Sequence, residues 1–246
     1  MKNAFNIIPL IDLTSLNQND NEASIIALCK KAQTPYGAVA AVCVYPAFVK
    51  QAVGELKNTP IKIATVVNFP SGELTLQEML SQITAAISDG ANEIDMVFPY
   101  KMYLRGGKQE ALDFVIHAKQ ICGNEIKLKV IIETGELPSL ELIKTISLDV
   151  ICAGADFIKT STGKTKQGAT LEAAEIMLKA IQEQTINQHR LVGLKISGGV
   201  RTVSQCLSYI TLAEDMMGPD WINPNCFRVG ASYLLDEIVS TRYSSV

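Results

Sequence analysis

Two lysines in this chain stand where a lysine can act on a carbonyl compound, because each closes a short apolar run. Lys159 follows Phe157 and Ile158, and Lys195 follows Leu194. An amine that is kept neutral by desolvation is a nucleophile and forms a Schiff base with a carbonyl group. A lysine that merely extends its ammonium group to solvent fits the surroundings of Lys159 equally well.

The second lysine favours the chemical interpretation. Neighbouring strands of a sheet lie about 4.8 Å apart, so Lys195 would come close to Lys159 if the two runs pair. Two adjacent ammonium groups repel each other, and one of them is then expected to lose its proton near neutral pH. The alternative is that each lysine pairs with a carboxylate of its own, for which Asp95 and Glu133 are available.

A carboxylate closes another apolar run. Glu93 and Asp95 alternate with Ile94 and Met96, so both acidic side chains lie on the same face of the predicted strand. Asp95 is the nearer of the two to the carboxyl end. Facing two lysines, it could stabilise an ammonium group and relay protons, or it could form a structural ion pair only.

The elements that position these residues alternate regularly along the chain. Short apolar runs, typical of strands buried on both faces, are Ile7–Asp12, Val39–Tyr45, Ile61–Asn68, Glu93–Phe98, Ile126–Glu133, Asp156–Thr160, Leu191–Ser197 and Cys226–Gly230. Helical patterns between them are Glu22–Ala32, Ala47–Leu56, Leu76–Ile87, Lys108–Cys122, Ser139–Cys152, Leu171–Ile181, Thr202–Ala213 and Ala231–Val239.

Eight strand-helix units in one chain predict an α/β fold, a (β/α)8 TIM barrel that uses residues 1–246 as a single domain. A doubly wound sheet is the second choice. It would carry a glycine-rich turn after its first strand, and the segment 12–16 has no glycine.

Barrel active sites lie at the carboxyl ends of the strands. The last polar residues of the apolar runs are Asp12, Cys43, Asn68, Asp95, Glu133, Lys159 and Lys195, with the Arg228-Val229-Gly230 segment in the eighth run. Charged groups are costly to bury, so a ring of them indicates a function.

An anion site is predicted next to this ring. Barrels frequently bind phosphate with the loops that follow the seventh and eighth strands. Those loops contain Gly198 and Gly199, then Gly230 and Ser232. Glycines let backbone N–H groups converge on an anion, and we expect Ser232 to lie at the amino end of the last helix. The Thr162-Gly163-Lys164 segment adds a hydroxyl and a cation.

Composition excludes several classes of protein. The chain has 246 residues, 48% of them hydrophobic, and a net charge of −3, so it lacks the basic footprint of a nucleic-acid binder. The first residues show no secretory signal, and the uncharged stretch 32–49 is broken by Pro35 and Pro46, which argues against a membrane span.

The sulfur and imidazole groups indicate a metal-free, reduced protein. The six cysteines lack the spacing of a zinc knuckle or a redox pair, and scattered free thiols are typical of a cytoplasmic location. The two histidines are His117, in a predicted helix, and His189, before the seventh strand. A metal-dependent barrel enzyme needs a ligand cluster at the barrel mouth, so we expect no metal and no cofactor.

These residues together resemble the deoxyribose-phosphate aldolase family, which are class I aldolases. The most specific segments are Glu93–Val97, Lys129–Thr134, Asp156–Gly163 and Gly193–Arg201. The resemblance implies reversible cleavage of 2-deoxy-D-ribose 5-phosphate into D-glyceraldehyde 3-phosphate and acetaldehyde. It also implies a homodimer whose substrate is a small phosphorylated sugar.

Roles follow from the resemblance, residue by residue. Lys159 would form the imine, Lys195 would perturb it and join proton transfer, and Asp95 would complete the relay. Further positions match the family's substrate pocket and phosphate site: Asp12, Cys43, Thr162, Lys164, Gly198, Gly199 and Ser232.

Two positions depart from the family pattern. Ile196 stands where a small residue or proline is common, and Tyr233 stands where a second serine is frequent. Some relatives carry a longer tail ending in a tyrosine that reaches the site, and whether Tyr243 substitutes for it is open at this point. Two other functions use the same parts: a pyridoxal-phosphate enzyme, which would be yellow, and a phosphometabolite-binding barrel without turnover.

Overall fold

The computed structural model describes residues 4–188 and 190–243. Within these ranges, eight parallel strands close into a barrel in which each strand pairs with its neighbours along the chain and the last returns to the first. The strands are β1 (Ile11–Thr14), β2 (Ala41–Val44), β3 (Lys62–Val67), β4 (Glu93–Val97), β5 (Lys127–Ile131), β6 (Phe157–Lys159), β7 (Gly193–Ser197) and β8 (Phe227–Ala231). The predicted (β/α)8 barrel is confirmed.

Helices separate the strands and cover the outside of the barrel. They are α1 (Glu22–Lys31), α2 (Val49–Glu55), α3 (Leu76–Ser88), α4 (Tyr100–Leu104), α5 (Lys108–Cys122), α6 (Leu140–Cys152), α7 (Leu171–Gln188), α8 (Val203–Met217) and α9 (Leu234–Tyr243). Short 3-10 turns span Ala4–Leu10, Pro46–Phe48, Thr134–Glu136 and Pro219–Trp221.

Side-chain caps start several of these helices where the sequence predicts. The Thr75 hydroxyl accepts a hydrogen bond from the backbone N–H of Glu78, and the Glu78 side chain accepts from the backbone of Thr75. Thr202 and Gln205 form the same reciprocal pair at α8. Such boxes satisfy backbone N–H groups that a helix leaves unpaired at its amino end.

The first strand is displaced from its predicted position. The run Ile7–Asp12 was expected to be extended, but a 3-10 turn covers Ala4–Leu10 and β1 begins at Ile11. Ile7 and Ile8 are buried in the turn as they would be in a strand. An unbroken apolar run does not distinguish the two conformations, and Pro9, which lacks an N–H donor, lies inside the turn.

The last strand runs further than predicted. Ala231 still pairs with Leu13 of β1, so α9 begins at Leu234 rather than at Ala231. Ser232 was expected at the amino end of this helix, but it lies two residues before it, in the connecting bend. The predicted helix Ala47–Leu56 likewise divides into a 3-10 turn and α2.

Two predicted strands end early because the chain turns sharply. Asn68 and Glu133 follow β3 and β5, and each has a left-handed backbone with φ 54°. The Asn68 amide donates to the carbonyl of Val97 and accepts from the N–H of Leu74, which holds its turn in place. The sequence analysis also missed α4 and a hairpin that pairs Gln33–Thr34 with Gly37–Ala38.

Candidate active site

The strand register brings the two lysines side by side. Lys159 of β6 lies directly opposite Lys195 of β7. The Nζ atoms of both lysines lie 2.6 Å from the same oxygen, Oδ2 of Asp95. One carboxylate oxygen therefore bridges two amines, so Asp95 and Glu133 do not serve one lysine each.

A second set of charges lies behind this contact. Lys129 of β5 contacts Oδ1 of Asp95 at 3.1 Å and forms an ion pair with Glu93. Arg228 of β8 contacts Glu93 at 2.9 Å and Asp12 at 2.6 Å, and Asp12 returns to Lys195 at 2.5 Å. Together with Lys159 of β6, these residues from six strands form one closed network of ion pairs inside the barrel. We call it the charged ring.

The charged ring does not balance if every group is ionised. Among the residues that the structure describes, it contains three carboxylates and four cationic side chains: Asp12, Glu93 and Asp95 with Lys129, Lys159, Lys195 and Arg228. All seven residues are no more than 5% exposed. An uncompensated charge is costly at such burial, so loss of one proton from the cations balances the ring.

The group that releases this proton is Lys159. Burial lowers the pKa of the Lys159 amine, and the neighbouring Lys195 ammonium lowers it further, so the pKa lies below its usual value despite the attraction of Asp95. Burial also opposes the charge of Lys195, but Asp12 and Asp95 outweigh it and raise the pKa of Lys195. The expected asymmetry between the two lysines therefore has a physical cause.

Asp95 stays ionised between them. Burial alone would raise the pKa of its carboxyl group, but the three lysines around it hold that pKa well below the usual range. Asp12 behaves in the same way, its burial being outweighed by Lys195 and Arg228. Both carboxylates can accept hydrogen bonds and stabilise a cation at neutral pH.

A cavity of about 200 Å³ opens directly above the charged ring. Of the four cations, Lys159 is the one that lines it. The wall is completed by the loops after β1, β6, β7 and β8, which contribute Thr14, Leu16, Asn17, Thr162, Gly163, Lys164, Ser197, Gly198, Gly199, Val200, Arg201, Gly230, Ala231, Ser232 and Tyr233. The predicted phosphate loops and the predicted nucleophile therefore share one cavity.

Glycines allow the loops of the cavity wall to pack closely against neighbouring backbone and side chains. Gly198 has φ +87°, and a Cβ there would lie 2.9 Å from the Cα of Gly168 in the loop before α7. The N–H of Ala169 donates to the carbonyl of Gly198 at 3.0 Å, which joins the two loops. Gly230 leaves room for the Lys195 side chain, whose Cε would lie 3.2 Å from an added Cβ.

Three polar residues of the cavity wall form hydrogen bonds that hold the surrounding loops in place. Lys164 reaches across the cavity mouth and donates to the carbonyl of Leu16 at 2.5 Å. The Thr162 hydroxyl accepts from the N–H of Lys164. Ser232 donates its hydroxyl to the carbonyl of Thr14 at 2.8 Å, so it must leave that carbonyl before it can donate to a ligand.

Four of the predicted site residues lie beneath the cavity rather than in its wall. Asp12, Asp95 and Lys195 belong to the charged ring, and Cys43 is fully buried beside it. Burial and the nearby Asp95 carboxylate raise the pKa of the Cys43 thiol. In this state Cys43 is a neutral small side chain under the cavity floor.

Glu133 does not serve as a lysine partner. Its carboxylate accepts hydrogen bonds from the N–H of Thr162 at 3.2 Å and from the hydroxyl of Thr165 at 3.3 Å. Its pKa is raised because burial outweighs these bonds. Glu133 therefore holds the loop that carries Thr162 and Lys164.

The sequence did not identify Lys129 as a site residue, and it assigned no role to Arg228. Lys129 lies inside an apolar run rather than at its end, and a search for terminal polar residues passes over it. The signal that could have found it is its place in the middle of the run: Lys127, on the same face but at the start of the strand, is exposed, while Lys129 is fully buried. A charge in the middle of a barrel strand demands a partner of opposite sign.

Other expectations concern residues away from this site. His117 lies on α5, where its ring contacts the carbonyl of Asp113, while His189 and the side chain of Tyr243 lie outside the described residues. The described part of the chain holds no cluster of three or more ligating side chains suited to a metal ion. Nor does any helix in that part have the length and apolar character to cross a membrane.

Comparison with known proteins identifies the family. The sequence model described as DeoC/LacD family aldolase matches residues 6–236. The deoxyribose-phosphate aldolase of Agrobacterium fabrum is 44% identical over 234 residues, which cover 95% of this chain and 89% of that protein. This chain belongs to the DeoC/LacD family of aldolases.

Solved structures of similar proteins have the same architecture as this DeoC/LacD aldolase. A Toxoplasma gondii protein assigned as a deoxyribose-phosphate aldolase, in its apo form, superposes with a TM-score of 0.88 at 27% identity, covering 98% of this chain and 96% of that one. A Coccidioides immitis protein with the same assignment gives 0.85 at 28% identity, covering 97% and 87%.

Proposed function

We propose that this class I aldolase reversibly cleaves 2-deoxy-D-ribose 5-phosphate into D-glyceraldehyde 3-phosphate and acetaldehyde through a Schiff base on Lys159. The observation that carries the proposal is a buried lysine whose pKa is lowered by burial and by Lys195, at the floor of a cavity whose wall loops are suited to an anion. Family membership and the Agrobacterium fabrum relative support the same reaction.

The first step needs an amine without its proton. The lone pair of the Lys159 Nζ attacks the aldehyde carbon of the open-chain sugar, and loss of water leaves an imine. When this imine is protonated, its positive charge lies where Asp95 already contacts Nζ at 2.6 Å. The charged ring then carries an excess positive charge in a buried site, which makes the imine a strong electron acceptor.

The carbon–carbon bond can then break without a metal. The electron pair of the C2–C3 bond moves to the imine nitrogen, the C3 hydroxyl loses its proton, and glyceraldehyde 3-phosphate leaves. The remaining enamine takes a proton at C2 and is hydrolysed to acetaldehyde and free Lys159. We assign the proton transfers to Lys195 and Asp95, which are already joined by a 2.6 Å contact.

We assign the phosphate to the opposite wall of the cavity. Gly198, Gly199 and Ser232 lie on the loops after β7 and β8, and their backbone N–H groups are suited to an anion. Lys164 and Thr162 add a cation and a hydroxyl from the loop after β6. Tyr233, which is 70% exposed at the rim, offers no small hydroxyl there, so we expect one phosphate contact fewer than a serine would give.

The assembly and location of the enzyme remain proposals as well. We infer a homodimer from the family resemblance, and sedimentation equilibrium would measure its mass directly. We also infer a cytoplasmic location, in accordance with six cysteines that lack a disulfide spacing. Cell fractionation with a tagged chain tests this inference.

An aldolase assay tests the proposed reaction. The purified protein should release acetaldehyde from 2-deoxyribose 5-phosphate, at a rate that is insensitive to chelators, and should cleave unphosphorylated 2-deoxyribose much less efficiently. Lys159→Met should abolish release, whereas Lys127→Met, which removes an exposed lysine from β5, should leave it unchanged. No release by the unmodified protein would refute the proposal.

A further inference from the structure

Lys129 is the residue of the charged ring whose position the proposed reaction does not yet explain. It is fully buried, does not line the cavity, and lies opposite Asp95 in the strand register. Its Nζ contacts three carboxylates: Asp95 at 3.1 Å, Asp12 at 3.7 Å and Glu93. Unlike Lys195, it contacts Oδ1 of Asp95 rather than Oδ2, the oxygen that faces Lys159, so its effect on the reactive amine passes through Asp95.

The contact with Lys129 gives the two oxygens of the Asp95 carboxylate different partners. Lys129 occupies Oδ1, while Oδ2 faces Lys159 and Lys195. Without Lys129, the carboxylate could rotate about its bond to Cβ and offer both oxygens to the two other lysines. The Lys129 ammonium therefore determines which oxygen of Asp95 accepts hydrogen bonds from Lys159 and Lys195.

The surroundings of the Lys159 amine include ionisable groups from nearly every strand. In the described residues they are Asp12 (β1), Cys43 (β2), Glu93 and Asp95 (β4), Lys129 (β5), Glu133 in the turn after β5, Lys195 (β7) and Arg228 (β8). Glu133 is bonded to Thr162 and Thr165 outside the charged ring and is the same in every variant below. Cys43 adds no charge while its thiol is neutral, so the balance depends on three carboxylates and on the cations around them.

We propose that Lys129 is a positioning residue that orients Asp95 and supplies the positive charge whose excess makes Lys159 give up its proton. The proposal rests on the proposed Schiff-base function and adds to it the group that makes the nucleophile available. Glu93 is the counterpart in this balance, because its carboxylate contacts Lys129 and Arg228 but neither reactive lysine.

Charge counting gives the direction of each effect. Lys129→Met leaves three carboxylates with three cations, so Lys159 should keep its proton to higher pH, and Glu93→Gln should have the opposite effect. The double variant Glu93→Gln/Lys129→Met again has one cation in excess, so Lys159 should release its proton near the pH of the unmodified protein. A shift of about one pH unit corresponds to a tenfold change in neutral amine below the midpoint.

The experiment measures the Lys159 amine without any substrate. Trace acetylation with acetic anhydride at a series of pH values, followed by mass spectrometry of the Lys159 peptide, gives the midpoint at which the amine becomes reactive. Because no turnover is involved, the result stands whether or not deoxyribose 5-phosphate is the substrate. Lys127→Met is the matched control, with the same loss of charge on an exposed position two residues earlier on β5.

We expect Lys129→Met to raise this midpoint by about one unit, Glu93→Gln to lower it, the double variant to restore it and Lys127→Met to leave it unchanged. An unshifted midpoint in folded Lys129→Met overturns the proposal. If Lys129→Met does not fold, Glu93→Gln alone decides: a lower midpoint supports the proposal, and an unchanged or higher one overturns it. The imine-trapping rate of each folded variant should follow its midpoint.

Discussion

A single carboxylate oxygen, Oδ2 of Asp95, joins the two lysines at the centre of the site. The sequence predicts this neighbourhood, because Asp95, Lys159 and Lys195 are charged residues on apolar strands of one parallel barrel. Only Lys159 ends its strand, however, while Asp95 and Lys195 lie in the middle of β4 and β7. The sequence does not predict that one oxygen of Asp95 contacts both lysines while Asp12 also pairs with Lys195. That depends on side-chain reach across the barrel, for which strand order gives no distances.

The same limit explains why Lys129 and Arg228 are harder to find. Both lie within apolar runs, where the role of a charged side chain cannot be inferred until its partners are known. Arg228 connects Asp12 with Glu93, two residues 81 positions apart in number but adjacent in the ring. Only the closed barrel brings these strands together.

Lys195→Met tests proton transfer at the residue scale. The variant removes both the perturbing charge and the proposed proton donor, so turnover should fall by about 100-fold or more at every pH. Lys129→Met should behave differently, because the turnover that it loses near neutral pH should be recovered at higher pH. The measurement is kcat between pH 6 and 9, and a rate within tenfold of the unmodified enzyme removes Lys195 from the mechanism.

Stability should change as well in this variant. Lys195 is fully buried against Asp12 and Asp95, and breaking a buried ion pair costs about 3–5 kcal/mol. Circular dichroism at the assay temperature separates this effect from catalysis, because a folded but inactive protein is the expected result.

At the scale of elements, the sequence predicts the succession of strands and helices better than their ends. Hydrophobic periodicity locates each unit, since it follows from burial. The ends depend on local turns: Asn68 and Glu133 leave their strands in left-handed conformations, and Ala231 stays in β8 because it pairs with β1. A left-handed turn at a residue other than glycine has no clear sequence signal. Nor does the pairing of a residue with a strand that is distant in the chain.

The loop after β7 gives a prediction at this scale. Gly198→Ala and Gly199→Ala both place a side chain at positive φ, 87° and 88°, which costs about 1–3 kcal/mol. Only the Gly198 change also meets backbone, 2.9 Å from the Cα of Gly168, while nothing lies within 4 Å of the Cβ at Gly199.

We therefore expect Gly198→Ala to lower the melting temperature more and to raise the KM for deoxyribose 5-phosphate more than its neighbour. Thermal unfolding and initial rates measure the two effects. Equal losses in both variants would show that the contact between the loops after β6 and β7 does not shape the cavity.

At the scale of the whole molecule, the barrel encloses a charged ring whose aspartates stabilise the fold while they are ionised. Asp12 and Asp95 have pKa values below the ordinary 3.8 in the folded protein. The stability that they contribute is present above the unfolded pKa and is lost as pH falls through the folded values. The free energy of unfolding should thus change little between pH 7 and pH 5 and decrease by at least about 2 kcal/mol by pH 3.

Urea unfolding at pH 7, 5 and 3 measures this dependence. Asp215→Asn, which changes an exposed carboxylate on α8, should keep the acid-induced decrease. A protein equally stable at pH 3 and pH 7 would contradict the ionised state of the ring.

The most direct test of the proposed chemistry is to trap the covalent intermediate. The protein is incubated with deoxyribose 5-phosphate and sodium borohydride, digested, and its peptides are mapped by mass spectrometry. We expect one reduced adduct, on Lys159, whose yield increases with pH as the amine loses its proton. An adduct on Lys164 or Lys195 instead, or none at all while acetaldehyde is released, would contradict the assignment of Lys159 as the Schiff-base lysine.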